Sequence, residues 1–94
     1  MRIVTSPEAQ ADLREAYEYI APDNTEAADR LLGRIAETVG LLASGLVEGR
    51  EVRLRSGRKV RAWAMPPYRI YYSIRRDDFE VVRVYHQARR PIES

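Results

Sequence analysis

The chain predicts an α+β fold of order β-α-α-β-β-β, with an antiparallel helical hairpin packed on one face of a small antiparallel sheet. Three observations carry this. Apolar residues recur at helical spacing up to residue 44. Past Gly45 the period changes to two. The joints between the later apolar runs are so short that the strands they connect must be antiparallel neighbours.

Each element follows from its residues. Residues 2–5, RIVT, read as a first strand. Ser6 is placed to cap a helix, with Pro7 at its first position and Glu8 near the positive end of its dipole. Leu13, Ala16, Tyr17 and Ile20 then line one helical face over residues 7–21, and Asp12, Arg14, Glu15 and Glu18 take the other. Pro22-Asp23-Asn24 breaks that helix, and Asp23 or Asn24 caps the next. Its stripe is Ala28, Leu31, Leu32, Ile35, Val39 and Leu42, and it stops near Gly45. The three-residue link makes the pair a hairpin.

Residues 46–57 are polar and arginine-rich, with at most a ragged strand at 51–55. Val60, Ala62 and Ala64 alternate with Arg61, Trp63 and Met65. Pro66-Pro67 turns the chain. In YRIYYSIR (68–75), Tyr68, Ile70, Tyr72 and Ile74 alternate with Arg69, Tyr71, Ser73 and Arg75. The last strand, 79–86, puts Val82, Val84 and His86 on one face and Val81, Arg83 and Tyr85 on the other. The face away from the helices is expected to be partly open and basic.

Length and composition bound the function. The chain has 94 residues and reads as one domain, 1–94. Apolar residues are 45% of it, enough for a modest core. It has no cysteine, which excludes disulfides and thiolate metal sites. No apolar run reaches the roughly 18 residues of a membrane helix, and MRIVTSPE lacks a signal-peptide core, so the expected location is the cytoplasm. Net charge is +2, but it is unevenly spread: residues 1–49 carry four Arg against nine acids, and residues 50–94 carry twelve Arg or Lys against five. Such asymmetry suggests two faces with different partners, or strands that simply use arginine on their solvated side.

An ordered set of short motifs spans nearly the whole chain. It comprises S-P-x-A-x-x-D-L (6–13), Y-I-A-x-D-N (19–24), A-A-x-x-L (27–31), G-R (49–50), Y-R-I-Y-Y (68–72) and V-x-R-V-x-H-x-A-R-x-P (81–91). No single motif is specific, but together they resemble the RelE/ParE superfamily of type II toxin-antitoxin toxins, closest to the ParE branch. The resemblance implies a ParE-like toxin that inhibits DNA gyrase and so DNA replication. It also implies a cognate ParD-like antitoxin that neutralises it. The alternative it implies is a RelE-like ribosome-dependent mRNA endoribonuclease. A second alternative is a degenerate member that only binds its antitoxin.

Chemistry discriminates between the branches. RNA cleavage needs a base for the 2′-hydroxyl, an acid for the leaving oxygen and cations for the phosphate. His86, Arg61, Arg69, Arg83 and Glu51 could supply such a set. Yet no tyrosine follows His86, Tyr85 should point away from it, and Lys59 is the only lysine. The expectation is therefore binding without catalysis, and no cofactor. His86, sharing a face with Val82 and Val84, reads as a structural histidine with its ring bonded to backbone; it has no second ligand at metal-binding spacing.

Arg61, Arg69, Arg83, Arg89 and Arg90 are the candidate target-binding residues, or else a solvated face whose stems cover apolar area. Guanidinium groups bind carboxylates and phosphates alike, so direct nucleic-acid contact stays open. Trp63 and Tyr71 either stack beside Arg69 or, for Trp63, close an edge of the core. The antitoxin is expected on the helical hairpin, at Leu13, Tyr17, Tyr19, Ile20, Leu31 and Ile35.

Overall fold

The structure, a computed structural model, describes residues 1–94. The elements are β1 (Arg2–Thr5), α1 (Pro7–Ile20), α2 (Thr25–Ser44), β2 (Arg50–Arg53), β3 (Lys59–Met65), β4 (Tyr68–Arg75) and β5 (Asp78–His86). The expected α+β arrangement is present. The polar stretch after α2 contributes a full strand, β2, so the sheet has five strands in the order β1-β5-β4-β3-β2. The sheet is mixed rather than antiparallel throughout, because β1 lies parallel to β5. The two helices between β1 and the rest make that parallel return possible, since a parallel pair needs a long crossover.

Both helix starts are set by side chains. Ser6 Oγ accepts the N–H of Ala9 at 3.0 Å and donates to the Val82 carbonyl at 2.7 Å, which ties the start of α1 to β5. Asn24 Oδ1 accepts the N–H of Ala27 at 3.0 Å and caps α2. Gly45, at φ 81°, ends α2 in the left-handed region where glycine avoids the Cβ clash.

The main core lies between the helices and the sheet. Tyr72, Phe79, Leu42 and Ile70 are its largest fully buried side chains. Tyr72 stacks on Phe79 with ring centroids 4.9 Å apart. Burying each such side chain contributes about 1.5–3 kcal/mol.

The second face of the sheet is not open. Val52, Leu54, Val60, Ala62, Tyr71, Val82 and Tyr85 are buried there as a smaller core, with Ile92 of the C-terminal tail packed against them. A bulge sorts β5 between the two cores: Tyr71 pairs with Arg83 and Tyr72 with Val81, so Val82 is the extra residue. Val82 therefore faces the second core, whereas Val84 belongs to the main one. The expected Val82/Val84/His86 face is corrected by that one residue, because alternation fails across a bulge. Trp63 packs at the edge of the main core, opposite in face to Tyr71, so the two do not stack together beside Arg69.

Candidate functional site

The C-terminal tail builds one part of the site. Beyond β5 the Gln87 N–H bonds the Pro67 carbonyl at 2.9 Å, and the chain turns back over the second core. The Tyr85 hydroxyl donates to the Arg90 carbonyl at 2.6 Å. Further on, Glu93 forms an antiparallel bridge with Leu54, with Arg55 N–H to the Ile92 carbonyl at 2.7 Å and Ser94 N–H to the Arg53 carbonyl at 2.9 Å. The tail is thus a strap from the end of β5 to the outer edge of β2.

Glu93 is the hub of that strap. Its carboxylate accepts from Arg69 at 2.7 Å and from the Tyr71 hydroxyl at 2.6 Å, both on β4, and from Arg50 of β2 at 3.3 Å. Burial pushes this carboxyl up, but the bonds from Tyr71 and Arg69 and the charges of Arg50 and Arg69 outweigh it and hold it below its ordinary value. Burial first, then the bond to Glu93, pushes Tyr71 up to about 12. The second contribution arises because the neutral phenol donates that bond and ionisation would lose it.

A second node sits at the edge of β5. Strand β1 ends at Thr5, so β5 has no strand partner beyond Val81 on that side. Asp12 of α1 fills the gap. It accepts the Val84 N–H at 2.9 Å and two bonds from Arg83, each 2.8 Å. Arg89 lies 3.9 Å from Asp12 and 3.6 Å from Glu15. The guanidinium carbons of Arg83 and Arg89 stand 5.0 and 4.9 Å from the Tyr85 ring centre. The bond to Asp12 raises the Arg83 pKa, partly offset by burial. The sequence reading put Asp12 on the solvated face of α1; it is buried. The missed signal is Ala9 and Ala16, small residues three before and four after it, which let the helix approach the sheet at Asp12.

The five candidate arginines do not converge. Arg83 and Arg89 meet at Asp12, and Arg69 is held by Glu93. Arg61 bonds the Gly49 carbonyl at 2.7 Å and pairs with Glu48 at 3.1 Å. Arg90 is exposed and has no carboxylate partner.

The ribonuclease set is equally scattered. His86 lies on the helix side of the sheet, edge-on to Tyr68 at 5.1 Å, with its Nδ1 accepting from the Ala88 N–H at 3.0 Å. Arg69 lies on the opposite face, with Glu93. Glu51 and Arg61 pair with one another in register, and Arg61 is opposite Tyr72 while His86 is opposite Tyr68. That offset is roughly 13 Å along the strands at 3.3 Å per residue, and Glu51 is three strands away as well.

Of the hairpin residues, Leu31 and Ile35 are buried in the chain's own core and offer no surface. Leu13, Tyr17 and Ile20 are half-buried, and Tyr19 is 84% exposed. Tyr19 borders a shallow groove with Ala16, Tyr68, Val84 and His86, between α1 and the ends of β4 and β5.

With this geometry in view, comparison with known proteins identifies the family. A family model described as the ParE toxin of type II toxin-antitoxin systems, parDE, matches residues 3–91. The chain belongs to the ParE toxin family. Among solved structures, this ParE-family chain is similar to one described as the chromosomal ParDE TA system from P. aeruginosa. The TM-score is 0.74 at 20% identity, over 92% of this chain and 95% of that one. At that identity the likeness is one of fold. No curated protein sequence matches. Neither helix of the ParE-family chain is long and apolar enough to cross a membrane.

Proposed function

We propose that this ParE toxin arrests growth in the cytoplasm by binding DNA gyrase and so stopping replication, and that a ParD-like antitoxin neutralises it. The observation that carries this reading is the dispersal of His86, Glu51, Arg61 and Arg69 over both faces and opposite ends of the sheet. General acid-base cleavage needs a base and an acid within bonding reach of one substrate, and cations beside them. Glu93 adds to this, since it pairs with Arg69 and Arg50 and so neutralises cations that a phosphate would need. What remains is a binding protein.

On this reading Arg90, with Arg89 beside it, is the foremost target contact, because Arg61, Arg69 and Arg83 are committed to internal carboxylates. The antitoxin takes the groove at Tyr19, whose α1 wall is Asp12, Glu15 and Ala16, and reaches the half-buried Leu13, Tyr17 and Ile20 on the neighbouring face of the helix.

The test is induction of the toxin without antitoxin, with DNA and protein synthesis followed by separate labels. Early loss of DNA synthesis is expected. Early loss of translation, with DNA synthesis intact, would return the ribonuclease alternative.

A further inference from the structure

We infer that Glu93 is a positioning residue for target engagement: its carboxylate latches the C-terminal strap to the second face of the sheet and thereby fixes where Arg90 is presented. The inference rests on the reading that the tail meets the target, and it adds the element that makes the tail competent to do so.

Gln87 to Pro91 are all exposed and belong to no helix or strand. Pro91 lacks an N–H and cannot extend a ladder. Such a segment stays disordered unless something outside it holds it. Two anchors do. Upstream, the Tyr85 hydroxyl holds the Arg90 carbonyl. Downstream, Glu93 is gripped by donors from two strands, with Ile92 packed beside Leu54 and its core neighbours. Arg90 sits at the upstream anchor, three residues before Glu93. Its backbone is fixed, its side chain is exposed, and no acid within the chain competes for it.

The downstream anchor is weak without Glu93. The strap makes only one bridge to the β2 edge, at Leu54, and a single bridge is no ladder. Charge-assisted bonds are the strong ones, and all of those on the strap beyond Arg90 converge on this one carboxylate. A latch of this kind sets the fraction of chains whose tail is docked, and apparent affinity for a target scales with that fraction.

The experiment compares full-length variants induced without antitoxin. Each is read by growth arrest and, after purification, by amide hydrogen exchange. Glu93→Ala should speed exchange at the Arg55 and Ser94 amides, leave the β4 and β5 amides slow, and weaken growth arrest about tenfold or more. Glu93→Gln, whose amide oxygen still accepts from Arg69 and Tyr71, should retain more of both protection and arrest than Glu93→Ala. A merely structural role would not produce that ordering with the sheet amides unmoved.

The inference is overturned if Glu93→Ala frees the tail amides and yet arrests growth in full while Arg90→Ala does not arrest. The tail would then engage its target without a latch, and the target reading would stand. Full arrest by Arg90→Ala removes the target reading, and the inference with it. Should Glu93→Ala fail to fold, Tyr71→Phe deletes one donor and keeps the ring. Partial loss of arrest with faster tail exchange then supports the latch, and full arrest with the tail freed overturns it.

Discussion

Asp12 is the residue on which α1 and β5 depend together. Its two oxygens serve one backbone N–H and the two bonds from Arg83, and its side chain is 4% exposed. Removing it strands a buried amide and leaves Arg83 without its counter-charge. Breaking such a pair costs about 3 kcal/mol, the lower end of the range, because Arg83 still reaches solvent. Asp12→Ala should therefore lower the unfolding free energy by that amount, read as a lower urea midpoint at unchanged slope; a loss under about 0.5 kcal/mol would show that water replaces the carboxylate at no cost. Tyr71 gives a pH prediction. Its folded value is raised to about 12. The folded state thus holds the phenolic proton more tightly than the unfolded chain, whose tyrosines release it near the ordinary value of about 10. Stability from this group is fully present below about pH 10 and falls as pH rises toward 12. An unfolding midpoint that drops over that window in the parent, and drops less in Tyr71→Phe, is the expected result.

At the scale of elements, the helices were legible and the ends of strands were not. Ser6, Asn24 and Gly45 carry cap chemistry that reads directly from residue type, and α1 begins, and α2 begins and ends, where those residues place them. Strand β2 was hidden because Arg50–Arg53 is mostly exposed on an outer position of the sheet, so only Val52 shows an apolar signal. The bulge at Val82 was hidden because nothing in VVRV distinguishes an extra residue from alternation. Asp12 and Glu93 were missed for a shared reason: an acid that satisfies donors distant in sequence looks like any solvated acid until those donors are brought beside it. Gly49 makes the β2 argument testable. A Cβ built there would lie 2.5 Å from the Ala62 carbonyl oxygen, which is backbone and cannot swing aside. Its N–H also donates to the Tyr72 hydroxyl at 2.6 Å. Gly49→Ala should push the loop off β3 and cost about 1–3 kcal/mol, the range for overpacking. Thermal melts with native-like far-UV spectra would measure it, and an unchanged melting temperature would mean that β2 is not docked as described.

Over the whole molecule, three of the nine acids in the first half meet arginines of the second. Asp12 takes Arg83, Glu15 takes Arg89, and Glu48 takes Arg61. Glu93 binds two arginines of its own half. The charge asymmetry legible in the sequence is therefore in part a device of assembly, and among the candidate target-binding arginines the one it leaves unmatched is the one to question. Arg89 and Arg90 are adjacent in sequence and opposite in this respect. Arg89 stands over the Tyr85 ring and near two carboxylates, whereas Arg90 has its side chain in solvent. Arg89→Ala should cost about 1 kcal/mol, because ring stacking and exposed ion pairs are each worth a fraction of that or slightly more. Arg90→Ala should stay within about 0.5 kcal/mol of the parent, as solvated surface changes do. Growth arrest should run the other way, with the larger loss for Arg90→Ala. The two variants separate folding from engagement within one dipeptide. Melting curves and plating after induction decide it, and an Arg90→Ala variant that arrests growth as strongly as the parent would leave that arginine a solvated surface group.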